Sequence, residues 1–133
     1  MQRIVRLSLV TLFIIVGCSN EQVVRNDAEI PELIEVSVEI HSTTIKTDEE
    51  IIIKAKVTQG KEVVKDATEV KFEIWKDGET EAEHKIVEGE LDQNEGVYFI
   101  NKTFQEPGLY YVITHVTARN MHSMPKLEVE VVE

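Results

Sequence analysis

Apolar and polar residues alternate with a period of two through most of the chain beyond residue 33. In the range 34–40, isoleucine or valine occupies every second position and polar residues occupy the others. This pattern is typical of a β-strand that buries one face. Repeated along the chain and interrupted by turn residues, it predicts seven strands, at 34–40, 51–57, 70–75, 82–87, 96–104, 109–117 and 127–132.

The spacing of these strands indicates the fold class. No segment has a convincing helical period, so the chain is expected to be all-β. Short strands separated by short turns are typical of an antiparallel β-sandwich. The dipeptide Asp77-Gly78 also predicts a tight hairpin after the third strand.

The segment EPGLYYV, residues 106–112, resembles the tyrosine corner of immunoglobulin-like domains. The resemblance implies an immunoglobulin-like sandwich in which Tyr110 is the corner residue. Val112 stands where immunoglobulin domains keep a cysteine, which excludes the usual disulfide between the sheets. If Tyr110 and Val112 point inward, Thr114 and Val116 do so too, because side chains alternate along a strand. The opposite face would carry Tyr111, Ile113 and His115.

The N-terminus has the composition of a secretory signal rather than of a folded element. Arg3 and Arg6 precede the uncharged stretch LSLVTLFIIV at 7–16. Ten residues suit the apolar core of a signal peptide and fall short of the roughly 18 that a spanning helix needs. Gly17 and Cys18, the only cysteine, follow directly.

The motif IVGC at 15–18 resembles the lipobox of bacterial lipoproteins, with Ile15 and Val16 as permitted departures from its commonest form. The resemblance implies a signal peptide at 1–17, a lipidated Cys18 and a tether at 18–32 before a domain at 33–133. The alternatives are an ordinary cleaved signal and an uncleaved anchor. With lipidation, acyl chains on Cys18 hold the protein on the outside of a bacterial cell membrane, at about 0.8 kcal/mol per buried CH₂. The single thiol is then unavailable for a disulfide, for catalysis or for a metal.

The charge balance excludes one class of partner. The chain has 25 Asp and Glu residues against 14 Lys and Arg, a net charge of −11. Nucleic-acid binding needs clustered basic residues that neutralise phosphates. We therefore expect no nucleic-acid partner.

Three blocks of sequence are similar to YtkA-like domains, which are relatives of FixH-type proteins. The blocks are GKEVVKDATEVKFEIWKDG at 60–78, NEGVY at 94–98 and EPGLYYVITHVTARNMHSMPK at 106–126. The resemblance implies a small β-sandwich outside the membrane. FixH-type proteins are associated with the assembly of copper-dependent oxidases. Copper and an extracytoplasmic oxidase are thus the cofactor and the protein partner that the resemblance implies.

The stretch 118–126, between the last two predicted strands, holds the candidate metal ligands. Thioether sulfur and imidazole suit Cu(I), and Met121, His122 and Met124 fall within four residues. His115 precedes the stretch and lies within reach of a folded-back loop. The alternative is structural: hairpin methionines often cap a sandwich core, and a loop histidine is often only solvated.

The other histidines, His41 and His84, are expected at the surface, and nothing in the spacing predicts that the histidines converge on a joint zinc site. The sequence has no G-x-S-x-G, no H-E-x-x-H and no phosphate-binding glycine loop, so we do not expect an enzyme. Three hypotheses remain: a copper-binding or copper-delivering lipoprotein, a non-catalytic module that docks on another envelope protein and, with the least support from the motifs, an extracytoplasmic enzyme.

Overall fold

The computed structural model describes residues 30–42 and 44–133, of which Pro31–Glu133 form one compact unit. The predicted signal peptide, the lipidation at Cys18 and all but the end of the tether lie outside the described residues. Within the described part, no helix is long and apolar enough to span a membrane.

Eleven strands and one short 3₁₀ helix make up the unit. The strands are β1 (Ile34–Ile40), β2 (Thr44–Lys46), β3 (Glu50–Gln59), β4 (Glu62–Val63), β5 (Glu69–Lys76), β6 (Lys85–Glu88), β7 (Glu90–Asp92), β8 (Val97–Thr103), β9 (Gly108–Ala118), β10 (Met121–Ser123) and β11 (Lys126–Val132). The 3₁₀ helix, Glu81–Glu83, lies between β5 and β6.

The strands form two facing sheets, which confirms the predicted all-β sandwich. One sheet has the order β1-β3-β8-β7, with β4 paired to β3. The other has the order β2-β11-β9-β5-β6, with β10 paired to β9. The strand pairs are antiparallel as predicted, with the single difference among the described residues that β2 runs parallel to β11. The strand count is also higher than seven, since strands of two or three residues are too short to show an alternating pattern.

The core lies between the inner faces of the two sheets. Phe72, Ile53, Phe104 and Val57 are among its fully buried side chains. On β9 the buried positions alternate as predicted, with Val112, Thr114 and Val116 inward and Ile113 and His115 on the outer face. The central strand β9 therefore presents every second side chain to the outside of the six-stranded sheet.

The tyrosine corner forms as the sequence predicted. Tyr110 Oη donates a hydrogen bond of 2.9 Å to the backbone oxygen of Glu106, four residues upstream. Its ring packs on Phe104 with the ring centroids 4.5 Å apart. Gly108 has φ of 143°, a conformation that favours glycine, and the side chain of Lys76 crosses close over it.

The connection between β5 and β6 differs from the prediction. Gly78, with φ of 90°, forms a turn closed by a 3.0 Å hydrogen bond from Glu79 N–H to the backbone oxygen of Lys76. Thr80 N–H then donates to Glu83 Oε2 at 2.7 Å and opens the 3₁₀ helix. Because this local bond holds the chain in a helical turn, β6 begins only at Lys85 and not at residue 82.

The last hairpin is much tighter than the predicted loop at 118–126. Arg119 and Asn120 alone form its turn, both with positive φ, at 51° and 62°. That conformation matches the twist of a two-residue hairpin, and asparagine tolerates it well. Met121 pairs with Ala118 directly after it. The turn lies at the end of β9 opposite to Pro107-Gly108, as predicted.

Candidate functional site

Three of the four histidines lie on the outer face of the six-stranded sheet. His115 is on β9, His122 is on β10, and His84 ends the 3₁₀ helix before β6. Strand pairing brings these distant segments together: β5 pairs with both β6 and β9, and β10 pairs with β9. The spacing in the sequence did not predict that His84 lies near the other two; His41 is exposed on the segment after β1.

Glu73 on β5 connects two of these imidazoles. Its Oε1 lies 2.7 Å from His84 Nδ1, and its Oε2 lies 2.6 Å from His115 Nε2. The side chains are sheltered, with exposed fractions of 17% for Glu73, 14% for His84 and 22% for His115. The hydrogen bond with His84, and then that with His115, lowers the pKa of Glu73 below its ordinary value.

The ionised carboxylate fixes the protonation of both rings. A carboxylate only accepts hydrogen bonds, so each nitrogen that faces Glu73 must carry a proton. In the neutral imidazoles the lone pairs are therefore on His84 Nε2 and His115 Nδ1. This is the arrangement in which a histidine serves as a metal ligand: one nitrogen donates to a carboxylate and the other is left to coordinate.

His122 lies beside His115. The two ring centroids are 6.2 Å apart with the ring planes at 41°. His122 Nδ1 lies 2.9 Å from Thr117 Oγ1, its cross-strand neighbour. Two imidazoles bound to one ion can have their ring centroids this far apart, because each metal–nitrogen bond is about 2.0–2.1 Å long and each ring adds its own radius.

An aromatic group borders the cluster on the side of His84. Trp75 stacks on His84 with centroids 4.3 Å apart and an interplanar angle of 12°. Tyr111 lies 5.4 Å from Trp75, and the ammonium of Lys126 sits 4.0 Å from the centroid of Tyr111. Trp75 lies on the same face of β5 as Glu73, and its ring stacks on that of His84.

The four residues predicted as a copper site do not share one surface. His115 and His122 meet on the outer face. Met121 pairs with Ala118 on the inward face and packs against the core. Met124 follows β10 and is 49% exposed. The structure thus separates Met121 from the imidazoles and leaves Met124 half-exposed.

The pairing of β5 with β9 also explains what sequence reasoning missed. Glu73 and His115 are 42 positions apart, and only the register of the two strands makes them diagonal neighbours. The alternation did place Glu73 and Trp75 on one face of β5, and His115 on the outer face of β9. The shared outward direction of these side chains was the signal available in the sequence. The order of the strands in the sheet could not be predicted from it.

The cluster is an open arrangement rather than a closed cage. In residues 30–42 and 44–133, no three or more His, Cys, Asp or Glu side chains converge on a point that would hold a metal ion. A metal here would be held by two imidazoles, with its remaining positions open. Imidazole suits copper, zinc and nickel, so the donor type fits copper without selecting it alone.

Solved structures similar to this chain come from several protein classes. They include the PmoD soluble domain from Methylocystis sp. (TM-score 0.50, 14% identity, 74% of this chain and 90% of that chain). The PKD domain of the human VPS10 domain-containing receptor SorCS2 has a TM-score of 0.44 at 18% identity, covering 77% and 74%. A superoxide reductase from Ignicoccus hospitalis has a TM-score of 0.45 at 11% identity, covering 77% and 82%. At these identities the likeness concerns the fold alone.

No curated protein matches the chain. A family model does: the one described as YtkA-like matches residues 32–115, which is more than half of the sequence. The match covers Glu73, His84 and His115 and ends before Met121, His122 and Met124. The chain belongs to the YtkA-like family.

Proposed function

We propose that this protein is a lipid-anchored, extracytoplasmic lipoprotein that binds copper on the outer face of its six-stranded sheet. His115 and His122 are the ligands, and Glu73 is the positioning residue. The observation that carries the proposal is the pair of adjacent imidazoles, one of which is held by a sheltered carboxylate. The lipobox-like motif at Cys18 supports the anchor and the location outside the cytoplasm.

The chemistry of the pair suits a carrier more than a permanent centre. His115 Nδ1 and His122 Nε2 carry the lone pairs that a copper ion needs, provided that Thr117 Oγ1 accepts from His122 Nδ1. Two protein ligands leave coordination positions open for the exposed thioether of Met124, for water or for a ligand from another protein. An ion held in this way can pass to a partner, which fits delivery to a copper-dependent oxidase outside the membrane.

Copper titration of residues 19–133 tests the proposal. A competing chelator sets the free concentration, for Cu(I) and Cu(II) in separate series. Wild type is expected to bind one equivalent, and replacing both His115 and His122 with Ala is expected to reduce binding to background. Equal binding by wild type and this double variant would contradict the proposal.

Single-residue controls separate the outer face from the core face. His41→Ala removes an exposed histidine outside the cluster and is expected to leave copper binding unchanged. Met121→Leu preserves the packing against the core and is expected to leave binding unchanged as well. Met124→Leu measures what the exposed thioether adds. A large loss on Met121→Leu, with the fold intact by circular dichroism, would restore the methionine site that the sequence suggested.

The anchor has a separate test. The full chain expressed in a bacterium is expected to enter the membrane fraction, with a diacylglyceryl mass on the peptide that contains Cys18. Cys18→Ala is expected to release the protein from that fraction. Retention of Cys18→Ala in the membrane would indicate an uncleaved anchor instead.

A non-catalytic interaction module is the second candidate function. β6 is the edge of the six-stranded sheet, and it exposes Ile86 (63%) and Val87 (38%). An exposed apolar edge strand is a template for pairing with a strand of another protein. Under this hypothesis, Ile86→Lys abolishes capture of an envelope partner and leaves copper binding unaffected.

A further inference from the structure

A pocket of about 320 Å³ lies next to the tyrosine corner, and five charged side chains line it, namely three lysines and the glutamates Glu79 and Glu106. Three lysines contribute to it: Lys76 from the end of β5, Lys85 from the start of β6 and Lys102 from β8. The chain as a whole carries a net charge of −11. Three lysines against two glutamates give the lining a net charge of +1, in contrast to the protein as a whole.

Two of the three lysines have no carboxylate at ion-pair distance among the described residues, although Glu79 also lines the pocket. Lys76 Nζ lies 3.2 Å from Glu106 Oε2 at the rim of the pocket. Neither Lys85 nor Lys102 forms an ion pair within the described part of the chain. Burial, and then repulsion from Lys85, lowers the pKa of Lys102, while Glu79 acts in the opposite direction. An anion between these ammonium groups would relieve the repulsion.

The fold gives the pocket fixed walls. Phe104 is 2% exposed, and the ammonium of Lys102 lies 5.3 Å from its ring centroid. Tyr110 packs against Phe104, and its hydroxyl is tied to the backbone at Glu106. A Cβ at Gly108 would come within 2.8 Å of Lys76 Cε, so glycine leaves the space in which Lys76 lies across the pocket. The corner motif therefore shapes the site as well as the strand.

We propose that this pocket, defined by Lys76, Lys85 and Lys102, binds a phosphate group. Lysine ammonium groups are common phosphate binders, as point charges around the oxygens. The volume is at the lower end of the range for ligand pockets, about 300–1,000 Å³, and suits a phosphate with a small substituent. Free phosphate and the headgroup of an anionic phospholipid share this chemistry, and the second source would lie against the membrane that holds the anchor.

Fluorescence of Trp75, the only tryptophan and part of the pocket wall, provides the readout. Metal-free residues 19–133 are titrated with inorganic phosphate at constant ionic strength. We expect a saturable change with a Kd below about 1 mM, weakened about tenfold by Lys102→Gln and by Lys85→Gln. Lys56→Gln, at an exposed position on the outer face of the other sheet, is the matched control and should bind as wild type does.

Vesicles distinguish the two sources of phosphate. Sedimentation with phosphatidylglycerol vesicles, compared with phosphatidylcholine alone, measures headgroup binding by the unlipidated domain. Binding to the anionic vesicles that Lys102→Gln and Lys85→Gln abolish assigns the pocket to the headgroup. Saturable binding of inorganic phosphate without vesicle binding assigns it to free phosphate. The proposal is overturned if wild type, Lys102→Gln and Lys85→Gln all respond alike to phosphate and to vesicles. Because Lys85 is exposed, a loss of binding in Lys85→Gln would not be explained by a folding defect.

Discussion

Replacing Thr114 with valine should stabilise the sandwich, because this side chain buries a hydroxyl group that has no hydrogen-bond partner. Thr114 lies on the inward face of β9 and is fully buried, and its Oγ1 has no partner in the described part of the chain. Burying a hydroxyl without a partner costs about 1–3 kcal/mol in proteins. Valine keeps the volume and the β-branched shape, so no cavity opens and strand propensity is preserved.

We therefore expect the free energy of unfolding to rise by about 1–2 kcal/mol. For a domain of this size that corresponds to about 4–8 °C in Tm for each kcal/mol. Urea denaturation followed by Trp75 fluorescence measures the change, and the slope m should stay the same, since the exposed area on unfolding does not change.

Thr117→Val is the matched control on the same strand. Thr117 lies on the outer face, and its hydroxyl is 2.9 Å from His122 Nδ1, so valine there loses a partner and relieves no burial penalty. We expect no stabilisation from it. If Thr114→Val were neutral or destabilising, the Thr114 hydroxyl would have to be satisfied in the folded protein, and the reasoning from its isolation would fail.

Three further substitutions test the site and its supports. Glu73→Gln should destabilise the domain at pH 7 by about 1.5 kcal/mol or more, the value of a charge-assisted bond, and should weaken copper binding by about 10–100-fold. The folded-state pKa of Glu73 is lowered, so the stability that its carboxylate contributes is complete above the unfolded pKa of about 4.3 and is lost as the pH falls through the folded pKa. Glu73→Gln should therefore make the free energy of unfolding depend less on pH between these two pKa values. An unchanged dependence on pH would contradict this. Tyr110→Phe should cost about 1 kcal/mol in chemical denaturation by leaving the Glu106 carbonyl without its donor. Arg119 donates two hydrogen bonds to the Glu62 carboxylate. Arg119→Ala should therefore speed amide hydrogen exchange at Asn120 and Met121 relative to Arg119→Lys. Equal exchange rates in the two variants would show that the ion pair does not hold the turn.

The alternating pattern predicted the long strands and their faces because those features are local. β1, β9 and β11 span close to the predicted ranges, and the outward direction of Tyr111, Ile113 and His115 follows from a period of two. The tyrosine corner was also readable, since it needs only a tyrosine and a glycine at a fixed spacing. Where a local hydrogen bond competes with the pattern, as at Thr80 and Glu83, the strand prediction failed.

The candidate site was harder to predict from the sequence than the strands, because it depends on which strands are neighbours in the sheet. Adjacent soft ligands at 121–124 suggested a compact site, yet a tight turn at Arg119-Asn120 makes this segment a strand. Met121 and His122 then point to opposite faces, as successive residues of any strand do. Glu73 and His84 join His115 only through the pairing of β5 with β6 and β9, which no spacing in the sequence specifies.

A pair of imidazoles in place of a methionine-rich ligand set changes the copper chemistry that the proposed function implies. A site of two thioethers and an imidazole would favour Cu(I) strongly, because soft sulfur prefers the soft ion. Two imidazoles, one of them polarised by Glu73, bind Cu(II) as well, and their affinity falls as protons compete for the same nitrogens. Copper binding to residues 19–133 should therefore weaken on acidification from pH 7.5 to 5.5, because protons compete with the metal for the imidazole lone pairs. The site suggested by the sequence also contains imidazole, but its two thioethers do not bind protons, so its copper affinity would fall less steeply on acidification. The steepness of the pH dependence therefore separates the site suggested by the sequence from the site suggested by the fold.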